Sequence, residues 1–260
     1  MSPARRRAAG LVALALVLAV SCTFLGRWQW HRHEARSAAV AVVERNWRAD
    51  PVPLDAVLRP GRALTPAQEW RRVTVTGTYD GASPVLLRNR PVDGTPAYHV
   101  VAPFREDGTG AVLLVDRGWV RASTGAVAAP ASPAGPVTLT VRLRPLEPAS
   151  GRAAPAGQVQ AIALDEVLAA AGTGTTGAGG GTPAYAAFGS RVQETPAAAG
   201  TPADLPPPDT DLGSHLSYAF QWWVFAAGAL VAFGVLARRE LLEERVLLAE
   251  HAEAGDEPLP

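Results

Sequence analysis

Gly10 to Leu25 reads GLVALALVLAVSCTFL, sixteen residues without a charge, placed soon after Arg5-Arg6-Arg7. Extended through Gly26 to Trp30 as an α-helix, the stretch rises about 30 Å, the thickness of a bilayer's hydrocarbon core. Trp28 and Trp30 then fall at the far interface, where indoles settle with their apolar body in lipid and their N–H in water. A cleaved leader is the competing interpretation. Ala19-Val20-Ser21-Cys22 resembles a lipoprotein cleavage box with Ala where a larger aliphatic is usual. The aromatic exit favours a retained span, with Cys22 left as an unmodified thiol.

Working outward, Leu216 to Ala237 is a second apolar stretch. Tyr218, Gln221, Trp222 and Trp223 occupy its first turns, and Arg238 and Arg239 follow it. That length, with aromatics at one end and arginines at the other, suits a membrane span better than a buried soluble helix. Gly228 and Ala232 form a small-xxx-small pair, expected to pack on the first span and bring Trp28 and Trp30 near Trp222.

Orientation is decided at the second span. Arg5, Arg6 and Arg7 before the first are matched by Arg27, Arg32 and Arg36 after it. Arg238, Arg239 and Arg245 beyond the second are opposed by no nearby arginine, and only Asp209 and Asp211 precede it. Positive flanks stay cytoplasmic. The expected organisation is a cytoplasmic N-terminus over 1–9, a transmembrane helix over 10–30, an extracytoplasmic domain over 31–215, a second transmembrane helix over 216–237, and a charged cytoplasmic tail over 238–260. The localisation expected is the plasma membrane.

The middle region carries strand signals. Ala35 to Trp47 continues helically from the first span until Asp50-Pro51 and Pro53 stop it. Arg72 to Tyr79 alternates Val73, Val75 and Gly77 with Thr74, Thr76 and Thr78. Val85 to Arg88, Tyr98 to Phe104, Ala111 to Val120 and Val137 to Leu143 are apolar runs bounded by Gly and Pro. Leu164 to Ala171 reads as a short helix. No βαβ rhythm appears, so the fold class is membrane α+β, two transmembrane helices flanking an antiparallel β-rich sheet or small barrel. The Ala/Gly/Pro/Thr-rich stretches 122–135, 170–182 and 196–209 read as flexible linkers. Arg239 to Glu250 extends a charged helix, with 254–260 frayed.

Composition removes several function classes. Formal net charge is zero over 260 residues, which gives no pull toward nucleic acid. Every basic side chain is arginine, a bias expected of a GC-rich genome. A lone cysteine excludes an intrachain disulfide and clusters of cysteine ligands. No nucleophile elbow, phosphate loop or zinc-protease helix is present, so an enzyme is not expected. His31 and His33, two apart on a helix, point about 200° from each other and cannot share a metal. His99 lies in an apolar strand, where a hydrogen-bonded structural role is expected. Asp116-Arg117-Gly118-Trp119, at the end of the strongest strand, reads as a ligand contact or as a turn satisfied by its own charges.

His215 opens the second span at the boundary of water and hydrocarbon. Tyr218 and Trp222, three and seven residues later, share its helical face. An imidazole there can ligate haem iron while the rings pack on the macrocycle. The alternative is an interfacial histidine within an aromatic belt.

Together these motifs resemble the Surfeit locus protein 1 family of cytochrome c oxidase assembly factors. Leu25-Gly26-Arg27-Trp28-Gln29-Trp30-His31-Arg32 is similar to the family's signature at the first membrane exit. Asp50 to Leu54 and Arg71 to Asp80 fit the segment that follows. Tyr98 to Phe104 and Val115 to Val120 match its strand and Arg-Gly-aromatic turn, and His215 to Trp223 its second span. The chain departs at Pro96-Ala97, where a glycine is usual, at Gln158 to Ala161, which replace an aromatic-rich stretch, and at Gly213-Ser214.

The resemblance implies a role in assembling haem–copper cytochrome c oxidase, with haem a bound and handed to the catalytic subunit. It implies His215 as axial ligand to the iron, Tyr218 and Trp222 against the macrocycle, and Arg27 and Arg32 near the propionates. The partners implied are the oxidase catalytic subunit, the lipid bilayer and, as a further candidate, haem a synthase. A cofactor-free scaffold for an oxidase intermediate is the alternative.

Overall fold

The computed structural model describes residues 2–80, 83–123, 127–173 and 183–254. Much of the expected 170–182 linker and nearly all of the 254–260 tail lie outside them. In chain order the elements are α1 (Pro3–Trp47), β1 (Val52–Pro53), β2 (Arg72–Tyr79), β3 (Val85–Leu87), β4 (Ala97–Glu106), β5 (Val112–Arg121), β6 (Val137–Pro145), β7 (Gln158–Val159), α2 (Leu164–Ala171), β8 (Ala184–Thr195) and α3 (His215–Ala254). They form two compact units, Met1–Val40 with Asp211–Pro260, and Ala41–Thr210.

The first unit is an antiparallel helix pair. Ala8, Ala15, Ala19 and Gly26 of α1 are buried, as are Ala219, Ala226 and Ala237 of α3. Their recurrent spacing of seven is the period at which one face of a helix returns to its neighbour, and small side chains there let backbones approach. Closest is Gly26, where an added Cβ would overlap the Trp223 indole. The expected Gly228 ridge is not the contact: a Cβ at Gly228 would meet nothing within 4 Å. The close approach falls on α1 instead, because the consecutive tryptophans of α3 turn Trp223 inward, 5.9 Å from the Trp30 ring. Arg5–Glu244 at 3.8 Å and Arg7–Glu240 at 4.0 Å bridge one end of the pair. At the other end Arg36 Nε donates to the Asp211 carbonyl at 2.8 Å. The outward faces remain apolar: Val17, Phe24, Val224 and Val231 are 62, 68, 67 and 67% exposed. A continuous apolar exterior of this kind belongs in lipid, and both helices are long and apolar enough to cross a membrane. Each helix also runs well past the stretch expected to span.

The second unit is a mixed eight-stranded sheet in the order β1-β2-β6-β8-β5-β4-β3-β7. A further pairing of β2 with β4 closes β2, β6, β8, β5 and β4 into a five-stranded ring. Gly77 is the corner. It pairs with Val137 on β6 and with Glu106 on β4, and a Cβ there would collide with the Arg105 carbonyl. Most pairings are antiparallel, as expected; β1–β2, β3–β7 and β5–β8 are parallel. The chain between β5 and β8 is long enough to make the crossover a parallel pair needs.

Alternation builds the interior. Val73, Val75 and Tyr79 of β2 and Val137, Leu139, Val141 and Leu143 of β6 point into the ring, against Phe104, Leu113, Val115 and Tyr185. β5 is buried on both faces. Its Val112 and Leu114 join a second cluster with Val101, Val167, Leu168 and Phe188, beneath α2.

One charged pair is sealed within this unit. The Arg117 and Glu194 side chains are 0 and 1% exposed. Arg117 Nε and Nη2 donate to the two Glu194 carboxylate oxygens at 3.0 and 2.9 Å, a bidentate fork. Tyr79 Oη donates to the same carboxylate at 2.6 Å, and Arg117 Nη1 donates to the carbonyls of Pro130 and Ala131. Burial opposes ionisation of Glu194, but the hydrogen bonds from Arg117 and Tyr79 and the charge of Arg117 prevail, holding its pKa below the ordinary value. Burial, then the Glu194 charge, pushes the Tyr79 phenol up. Asp116-Arg117-Gly118-Trp119 thus lies inside β5, with Arg117 and Gly118 bulged opposite Val100 and its charges satisfied by protein groups.

The 196–209 stretch lacks regular structure beyond an isolated bridge, as its composition predicts, yet it is tied down. Trp119 and Ala203 exchange backbone hydrogen bonds at 2.9 and 3.0 Å, and Trp119 Nε1 donates to the Asp204 carbonyl.

Candidate functional site

At the start of α3 the Asp211 side chain accepts from Gly213 N at 2.9 Å, turning the chain into the helix. Tyr218 N then donates to Ser214 O, and His215 becomes the first helical residue. Its ring is half-buried, and Nδ1 lies 2.9 Å from Gln29 Oε1 of α1. With the amide oxygen accepting, Nδ1–H is the donor, and in a neutral imidazole that tautomer leaves the lone pair on Nε2. Metal-binding imidazoles are commonly held this way, one nitrogen fixed by a partner so that the other is presented in a set tautomer and orientation.

The remaining site residues distribute unevenly. Tyr218 is 47% exposed, and Trp222 is half-buried with its ring edge-on to Phe225 at 5.9 Å. Both follow His215 along α3 at offsets that keep them on its face. Trp223 lies on the α1 side, against Gly26 and Trp30. On α1, Arg32 is stacked over Trp28 with its Cζ 5.1 Å from the ring centre, one turn beyond Gln29. Arg27 is exposed and lies about 200° around the helix from Gln29, so the two arginines do not share a face. Arg36, two turns beyond Gln29, faces α3 through its bond to Asp211.

In the sequence Gln29 and Gly26 have no separate role and Trp223 counts only among the aromatics at the head of the second span, although all three lie within the motifs that carry the resemblance. The structure brings those motifs together: the first membrane exit supplies Gln29, Gly26 and Trp30, and the start of the second span supplies His215 and Trp223.

Residues 16–227 match the SURF1 family. An uncharacterized SURF1-like protein of Mycobacterium tuberculosis (strain H37Rv) is 34% identical over 245 residues, covering 91% of this chain and 86% of its own length. The cytochrome oxidase assembly protein SHY1 of Saccharomyces cerevisiae is 27% identical over 110 residues, 42% of this chain and 28% of its own. Surfeit locus protein 1 of Takifugu rubripes is 29% identical over 125 residues, 40% of this chain and 49% of its own. With the family match running from within α1, through the whole β-rich unit and into the first turns of α3, this chain belongs to the SURF1 family.

Proposed function

We propose that this chain is an assembly factor for haem–copper cytochrome c oxidase that holds haem a at the start of α3 and releases it to the catalytic subunit. The observation that carries the reading is the His215–Gln29 hydrogen bond, which leaves Nε2 free to ligate iron. The donor set fits such a group. His215 would hold the iron through one imidazole nitrogen, Tyr218 and Trp222 would offer apolar surface beside it, and Arg32 would offer a planar fork for a propionate. Arg27, on another face of α1, is the weaker propionate partner. Haem when bound supplies the cargo rather than a reaction, so the role is that of a chaperone, not an enzyme. A single protein ligand suits transfer, because the receiving protein can capture the iron through a position the donor does not fill.

In cells lacking this protein, haem a recovered with the oxidase catalytic subunit should fall severalfold, and the wild-type gene should restore it. His215→Ala, expressed at wild-type level, should fail to restore it. Full restoration by that variant would favour the cofactor-free scaffold.

The same reading puts both termini in the cytoplasm and residues 31–215 outside. It is supported by Arg238, Arg239 and Arg245 beyond the second span. The ion pairs of Arg5 and Arg7 with Glu244 and Glu240 also keep both helix ends together. Reporter fusions after Ala122 should read extracytoplasmic, and fusions after His251 cytoplasmic. A cytoplasmic readout at Ala122 would reverse the topology.

A further inference from the structure

On the β-rich unit a cleft of about 440 Å³ opens between Trp47 at the end of α1, Trp70 ahead of β2, and one face of β6. Arg142 and Arg144 alternate along β6 and so share that face. Each is laid flat on an indole: Arg142 Cζ is 3.5 Å from the Trp47 ring centre, and Arg144 Cζ is 3.8 Å from that of Trp70. The two indoles are 5.5 Å apart. Trp70 is held at φ +63°, in the left-handed region that a bulky side chain rarely adopts. Backbone of that kind collects at ligand sites, where neighbours hold a side chain in place against its preference.

Stacking satisfies the face of a guanidinium but not its edge. The Nε atoms of Arg142 and Arg144 are buried without a hydrogen-bond partner among the described residues, as is that of Arg72, paired with Arg142 across the sheet. Of the acids near the cleft, Glu147 and Asp116 are already engaged. Glu147 takes Arg90 at 2.5 Å and Ile162 N at 3.0 Å. Asp116 takes His99 Nδ1 at 2.8 Å and Gly118 N at 3.1 Å. Arg191, also lining the cleft, is held by the Arg117 and Pro202 carbonyls and by Asp204. Asp93 lies exposed at the rim. Burial, reinforced by the neighbouring Arg72 charge, pushes Arg142 down to about 10, the mark of a cation short of negative charge. Burial also lowers Arg144, against the pull of Glu69, Glu147 and Asp116.

We propose that this cleft binds the oxyanion group, phosphate or carboxylate, of a small ligand, held edge-on by the stacked guanidinium forks of Arg142 and Arg144. The volume suits a small molecule. Two planar forks side by side match an oxyanion's geometry, and the indoles fix both forks in advance. This site is independent of haem, and its test uses none.

Full-length protein in a non-ionic detergent would be titrated with inorganic phosphate and, separately, with succinate. Ionic strength is held constant with chloride, and tryptophan emission is read. The expected result is a saturable change with at least one oxyanion and none with chloride alone. Response to phosphate only, or to succinate only, identifies the class. Arg142→Gln combined with Arg144→Gln should raise the midpoint by about tenfold or more, the loss of charge-assisted bonds. The corresponding lysine pair keeps the charge without the fork; it should also raise the midpoint, and it decides the matter if the glutamine pair does not fold. No saturable response to either anion, or an unchanged midpoint in the folded variants, would overturn the proposal.

Discussion

Glu194→Ala should destabilise the β-rich unit by about 3–5 kcal/mol, the cost of leaving a buried partner charge uncompensated. Arg117 would lose both oxygens of its fork and keep only the Pro130 and Ala131 carbonyls, with its side chain still fully buried. A loss of that size is a large share of a domain's typical stability of about 5–15 kcal/mol. Thermal or urea unfolding of the detergent-solubilised chain, followed by near-ultraviolet circular dichroism, would measure it. Removing both charges, as Arg117→Met with Glu194→Leu, should recover much of the loss, because two apolar side chains leave no orphaned ion.

The pH dependence carries the same sign. Glu194 is held below its unfolded value, so its contribution is fully present above the unfolded glutamate pKa of about 4.3. It is lost as pH falls from there through the lower folded value. Glu194→Gln should flatten that acid limb and leave stability lower at neutral pH. An acid limb identical to wild type would show that another carboxylate controls it.

The ring containing this pair was only partly legible. β2 and β6 announce themselves, because Val and Leu alternate with Thr and Arg and one face is buried. β5 opens on an equally plain apolar run, Val112 to Val115, buried on both sides. β8 was missed. AYAAFGSRVQET offers few branched side chains and no strict alternation, yet it is the longest strand among the described residues and joins β6 to β5. Its conformation is imposed by the strands on either side, which satisfy its backbone groups. With β8 went Glu194, and with Glu194 the reason for a buried arginine in a strand. Trp47 and Trp70 were invisible as a pair for a similar reason: their meeting depends on where α1 ends and β2 begins.

At the helix pair, the place of His215 at the head of α3 was legible and its contact with Gln29 was not. His215 is marked by its place at the head of an apolar span. Gln29 is 186 residues away and contacts it only because the two spans run antiparallel. Spacing along α3 selected Trp222 for the face of His215, but packing against Gly26 selects Trp223 for the seam.

Gln29→Leu should weaken haem a binding by about 10- to 100-fold, the usual cost of removing the group that orients a metal-binding imidazole. His215→Ala should abolish it. Both variants should insert normally, since neither side chain belongs to the Ala and Gly seam that packs α1 on α3. The most direct measurement is the absorption spectrum of the detergent-purified protein from cells that make haem a. Wild type should carry haem a bands at a defined ratio to protein. His215→Ala, at equal yield and helix content, should lack them. A wild-type preparation without those bands, or a His215→Ala preparation with unchanged bands and haem content, would contradict ligation by His215.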